Sequence, residues 1–87
     1  MRYTVQFSSS GRRDLARLSD SMRGRLLRGI ETLEENPRRF GTKLLKGELK
    51  GMRRLRVGDY RVTYVISDAA HTVEIMHIGH RESFYDR

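Results

Sequence analysis

Arg54, Arg56 and Arg61 lie close together in the stretch M-R-R-L-R-V-G-D-Y-R-V-T-Y-V-I-S, residues 52–67. A guanidinium is a planar fork of donors that grips an anionic oxygen pair by two bonds, and it stays protonated at every working pH. Three of them side by side would make an anion clamp. Whether they meet depends on the elements that carry them. Gly58-Asp59 separates two runs rich in Val, Ile and Tyr, the pattern of a two-residue hairpin turn. Such a turn sets Val57 opposite Tyr60, Arg56 opposite Arg61 and Leu55 opposite Val62. Side chains alternate faces along a strand, so Leu55, Val57, Tyr60, Val62, Tyr64 and Ile66 share an apolar face. Arg54, Arg56, Arg61 and Thr63 share the other. Like charges paired across strands repel. The fold gains nothing from this cluster, and an anionic partner accounts for it.

The charge balance of the whole chain agrees. Net charge is +7, and residues 38–61 hold nine Lys and Arg against Glu48 and Asp59, which is the entire excess. A localised surplus of this kind is the footprint of a polyanion partner. Lys43, Lys46 and Lys50, the chain's three lysines, together with Arg53 are the residues expected to follow a nucleic-acid backbone. The segment over residues 38–61 alternates like a strand and not at helical spacing, which argues against an amphipathic helix on a membrane surface. A solvated basic face kept for solubility is the plain alternative.

With 87 residues the chain reads as one domain, residues 1–87. A chain this short buries only about 60% of its unfolded surface, enough for one modest core. It has no cysteine, which excludes disulfides and thiolate metal sites. Its three histidines lack the i,i+4 pairing of a metal site, so neither metal nor cofactor is expected. No run reaches the roughly 20 apolar residues of a membrane span, and M-R-Y-T-V-Q-F lacks an apolar signal core. A cytoplasmic protein is expected.

The elements follow in order. Residues 2–7 alternate as a half-buried strand with Tyr3, Val5 and Phe7 inward. Ser8-Ser9-Ser10 offers N-caps for a short helix over about residues 10–18. Ser19-Asp20-Ser21 caps a second, in which Met22, Leu26, Ile30 and Leu33 form an apolar stripe, with Leu27 beside it, up to Asn36-Pro37. Its arginines lie early and its glutamates late, against the helix dipole; Arg38 and Arg39 would partly offset the glutamates. Residues 38–50 read as a basic loop or loose strand held by Leu44, Leu45 and Leu49. After the central hairpin, Asp68-Ala69-Ala70 turns the chain into a last strand over residues 72–78. The result is an α+β domain, β-α-α-β-β-β, ending in a three-stranded antiparallel meander, with helices on one face and arginines on the other.

The pieces L45-K46-G47, L55-R56-V57-G58-D59-Y60-R61-V62-x-Y64 and I78-G79-H80-R81, with Tyr85 close behind, resemble the RelE/ParE superfamily of bacterial toxins, and its RelE branch most closely. The resemblance spans the whole chain and is most specific over G-D-Y-R-V-x-Y. It implies a RelE-like fold and an endoribonuclease that cuts mRNA in the ribosomal decoding site and is held inactive by an antitoxin. It also implies that Arg54, Arg56, Arg61, Arg81 and Tyr85 line the active face. Several relatives carry lysine where this chain has Met52 and Arg54, which weakens any mechanism built on a lysine base.

RNA cleavage through the 2′-hydroxyl needs in-line geometry, a proton acceptor, charge stabilisation at phosphorus and a proton donor. Arg56 and Arg61, with Arg54 beside them, supply the charge stabilisation. Tyr85 is a candidate acceptor or a stacking ring. Arg81 and His80 are candidates near the leaving group, and His80 alone of these titrates near neutral pH. Glu48 and Glu82 are possible partners of His80. His71 and His77 read as structural or solvent-exposed, and Tyr60 and Tyr64 as core. Two rivals stand beside the ribonuclease: a ParE-like inhibitor of DNA gyrase that cleaves nothing, and a non-catalytic RNA or ribosome binder.

Overall fold

The computed structural model describes residues 2–47 and 50–80. In chain order the elements are β1 (Thr4–Phe7), α1 (Ser9–Ala16), α2 (Asp20–Glu31) continued by a 3-10 turn (Thr32–Glu34), β2 (Thr42–Leu44), β3 (Arg53–Val57), β4 (Tyr60–Ser67) and β5 (Thr72–His80). The hairpin forms in the expected register, with Leu55 opposite Val62, Arg56 opposite Arg61 and Val57 opposite Tyr60. Gly58 takes φ +61°, a left-handed value that a side chain would strain, as the tight turn requires. The basic loop contributes a short strand, since Thr42, Lys43 and Leu44 pair with Leu55, Arg54 and Arg53.

Five strands make one sheet in the order β1-β5-β4-β3-β2. All pairings are antiparallel except that of β1 with β5, which is parallel. A parallel neighbour needs a crossover, and the helix pair supplies it. Leu26, Ile30 and Leu33 pack on Leu55, Val62, Tyr64, Val73, Ile75 and Ile78 to form the core. Leu27, expected beside the apolar stripe, is largely exposed. Tyr64 is fully buried, and its hydroxyl donates to the Pro37 carbonyl at 2.6 Å, fastening the loop after α2 to the central strand.

Strand β1 stops at Phe7, which leaves the outer edge of β5 beyond Ile75 to be covered by α1. Ser8 N–H donates to Ile75 O at 2.9 Å. Its hydroxyl accepts from Gly11 N–H at 3.0 Å, capping the helix, and donates to Met76 O at 3.1 Å. Gly11 has to be glycine, because a Cβ there would sit 2.4 Å from Ile75 O. Asp14 Oδ2 accepts from Ile78 N–H at 3.0 Å. Helix and strand edge are thus joined at three levels.

The inverted charge order of α2 is resolved by tertiary contacts. Arg23 reaches back to the end of α1, donating to Leu15 O at 3.2 Å, Ala16 O at 3.3 Å and Leu18 O at 2.7 Å. The late glutamates Glu34 and Glu35 pair with Arg2. Arg38, expected near them, instead grips Asp68 at 2.9 and 3.2 Å.

Two predictions follow from these contacts. Tyr64→Phe strands the buried Pro37 carbonyl, which costs about 1–3 kcal/mol; urea denaturation reads it, and an unmoved midpoint would refute the role. The Asp68 carboxyl is lowered from 3.8 to about 2, by Arg38 first and by the Tyr3 hydroxyl at 2.6 Å second. A depressed carboxyl stabilises the fold above its ordinary pKa and stops doing so as pH falls through the lowered one. The melting-temperature gap between wild type and Asp68→Asn should therefore be full near neutrality and close as pH falls from about 4 toward 2.

Candidate nucleic-acid interface

Strand register lays the polar face of the sheet out in two rows. The first crosses four strands: Lys43 opposite Arg54, Arg54 opposite Thr63, Thr63 opposite His77. The second places Arg56 opposite Arg61 and Arg61 opposite Gly79. Neighbouring strands are about 4.8 Å apart and same-face residues along a strand about 7 Å apart. The rows therefore bring Lys43, Arg54, Arg56 and Arg61 onto a patch the width of one or two nucleotides. The core that Leu26, Ile30 and Leu33 of the helical segment build lies on the other face.

The cations differ in access. Lys43 and Arg56 are exposed and Arg54 is half-buried. Burial, and secondarily the charge of Arg56, lowers the Arg54 pKa, although arginine stays protonated in practice. Arg61 is only 1% exposed, and Thr63 beside it likewise. Arg56 is presented to solvent while its cross-strand partner Arg61 lies beneath the surface.

Not every expected residue is on this face. His80 pairs with Tyr60, and the two rings meet edge to face at 5.4 Å on the apolar side of the sheet. Arg53 pairs with Tyr64 on that same side, and its Nε donates to Thr42 Oγ1 at 3.2 Å. Both are thereby separated from Arg54 and Arg56 by the thickness of the sheet. Lys46 and Lys50 are exposed in the connection between β2 and β3. Arg81, Tyr85, Glu48, Glu82 and Leu49 lie outside the described residues. Among the described residues, no helix is long and apolar enough to cross a membrane.

His77 takes the place that His80 does not. The reason is an irregularity in β5: Thr63 pairs with His77 but Tyr64 pairs with Ile75, leaving Met76 as an extra, bulged residue. Unbroken alternation would have put His77 on the core face with Val73 and Ile75. The bulge resets it, so that Val73, Ile75, Ile78 and His80 face the helices while Glu74, His77 and Gly79 face away. The signal is present in the sequence, because apolar residues 73, 75 and 78 are spaced by two and then by three.

A family model described as the ParE toxin of type II toxin–antitoxin systems, parDE, matches residues 5–85. The chain belongs to this toxin family. Toxin RelE of Mycobacterium tuberculosis is 39% identical over 84 residues, 95% of this chain and 86% of that protein. Toxin RelG of the same organism is 38% identical over 88 residues, 100% of both. The toxin–antitoxin complex RelBE2 from M. tuberculosis contains a chain 35% identical that superposes with a TM-score of 0.84, covering 93% of this chain and 100% of that one. An archaeal RelE–RelB complex from Pyrococcus horikoshii gives 28% identity and a TM-score of 0.76, covering 93% and 97%. This protein is a RelE-like toxin of a type II toxin–antitoxin system, with the RelE fold.

The two faces of the toxin should differ in their response to a polyanion. Lys43→Ala and Arg56→Ala should each flatten the salt dependence of binding to a single-stranded RNA oligonucleotide by about 0.7 in log–log slope. Arg53→Ala, on the far face, should leave the slope as it is. Fluorescence anisotropy over a salt series measures all three, and a slope change confined to Arg53→Ala would place the RNA on the wrong side of the sheet.

Proposed function

We propose that the toxin is an endoribonuclease that cleaves mRNA on the ribosome by attack of the 2′-hydroxyl. The observation that carries this reading is the in-register row of cations on the sheet face away from the core, in a chain 39% identical to a toxin named RelE. Arg56 and Arg54 hold the scissile phosphate through bidentate bonds and favour the charge that builds up on its oxygens. Arg61, one strand further in and buried, adds to the field from below. Lys43, Lys46 and Lys50 follow the neighbouring phosphates. Arg81 and Tyr85, which the family resemblance adds, serve the leaving group and the base or sugar.

Arginine is a poor proton acceptor at any working pH, so the toxin has little acid–base chemistry of its own to spend. The ribosome supplies alignment of the substrate, and proper orientation is worth several kcal/mol of barrier. Such an activity in the cytoplasm needs a restraint. RelB accompanies RelE in the related complexes, and the corresponding partner here is a cognate antitoxin that covers the basic face.

The test is a reporter mRNA on purified bacterial ribosomes. Cleavage should require the ribosome-bound state and leave a 2′,3′-cyclic phosphate upstream and a 5′-hydroxyl downstream. A single 2′-deoxy substitution at the cut should abolish it while binding persists, because the phosphates are unchanged. Arg56→Ala and Arg81→Ala should each slow single-turnover cleavage by roughly 10²-fold or more. The family model is described as a ParE toxin, and a ParE-like gyrase inhibitor is the rival reading. Inhibition of DNA supercoiling together with intact mRNA on translating ribosomes would establish that reading and end this one.

A further inference from the structure

Among the described residues, β5 is the strand that brings a histidine to the arginine face. Of the three histidines, His71 stacks on Tyr3 at 4.5 Å in the turn before β5, at the far end of the sheet from Arg56 and Arg61. His80 is held against Tyr60 on the helix side. Of the three, His77 alone stands on the arginine face, directly opposite Thr63 and two strands along the row from Arg54. Its side chain is 47% exposed, which leaves it accessible to a substrate lying across the arginines.

The ring also has an orienting group. His77 Nδ1 lies 3.9 Å from Asp14 Oδ2. That oxygen is itself held, since it accepts the Ile78 N–H at 3.0 Å where α1 covers the bare edge of β5. A separation of 3.9 Å is longer than a hydrogen bond, and contacts of this kind tighten when substrate fills a site. A carboxylate facing Nδ1 favours the tautomer whose proton is on Nδ1, which leaves the Nε2 lone pair free. Among the described residues, the ring faces Asp14 from α1 and shares its sheet face with Arg61 from β4, Arg54 and Arg56 from β3, and Glu74 on its own strand.

We propose that His77, oriented by Asp14, is the general base of the cleavage reaction; the inference rests on the ribonuclease reading above. The 2′-hydroxyl proton passes to His77 Nε2 as the 2′ oxygen forms its bond to phosphorus. The bond from phosphorus to the 5′ oxygen breaks, its electron pair leaving with that oxygen, which takes a proton from water. The imidazolium then returns its proton to solvent, and nothing is oxidised or reduced. Arg54 and Arg56 hold the phosphate while His77 acts on the sugar beside it, a division of labour that the row geometry allows and that His80 could not enter.

The experiment is single-turnover cleavage of ribosome-bound mRNA across about pH 5.5 to 8.5, with wild type, His77→Ala, His77→Gln and Asp14→Asn. Removing a general base should slow cleavage by roughly 10²-fold or more and abolish the fall in rate on the acid side. Added imidazole should restore part of the rate to His77→Ala, a rescue that a structural role would not give. Asn at position 14 can still accept the Ile78 N–H, so Asp14→Asn should cause a smaller loss and move the acid limb. Ribosome binding should be unaffected in all three. Both His77 variants cleaving within about threefold of wild type with an unchanged pH profile, or slow cleavage without imidazole rescue, would overturn the proposal while the ribonuclease reading stood. Wild-type protein that cuts no ribosome-bound mRNA would overturn both.

Discussion

A slip of β3 by one residue against β4 would turn Arg54 and Arg56 into the core and Leu55 out to water. Each buried charge would cost several kcal/mol even after relaxation, so the register is enforced by the whole hydrophobic core and not by the turn alone. Gly58 makes the short turn possible; Leu26, Ile30 and Leu33 make any other pairing untenable. The site is therefore a consequence of the packing behind it. Cations that repel one another across a strand pair stay together because their backbones are committed elsewhere.

The second half of β5 is built on the same logic, with α1 taking the place of a strand. Ser8, Gly11 and Asp14 lie one after another along that edge, each satisfying or making room for a backbone group that β1 no longer reaches. The Met76 bulge sits in this region and swaps the faces of the residues beyond it. Bulges next to active sites commonly re-aim a side chain, and here the one re-aimed is His77. Exposed pairs such as Arg2 with Glu34 and Glu35 add little by comparison, being screened by solvent.

The hairpin register, both helices, both serine caps and the division of the sheet into an apolar and a basic face were legible in the sequence, because period, turn chemistry and capping all speak locally. What escaped depended on distant partners. Nothing in T-V-Q-F announces parallel pairing with β5, and T-K-L becomes a strand only because β3 offers it an edge. Adjacency in sequence grouped Arg53 with Arg54, and His80 with the arginine face, where alternation parts them. Arg61 looked as available as Arg56, since charge and spacing say nothing about the crowding around a central strand. Plain alternation puts His77 on the core face, and the spacing of Ile75 and Ile78 is the one local mark of the bulge that moves it.

The central claim is that RNA lies across the arginine face of the sheet, over the row from Lys43 to His77. Amide chemical-shift mapping of the labelled toxin, titrated at low salt with a short RNA made uncleavable by 2′-deoxy substitution, tests it directly. The account predicts that the largest changes fall on Lys43, Arg54, Arg56, Thr63 and His77, with Tyr60, Arg53 and His80 little moved. Changes centred instead on Arg53, Phe40 and the helix side of the sheet would contradict it.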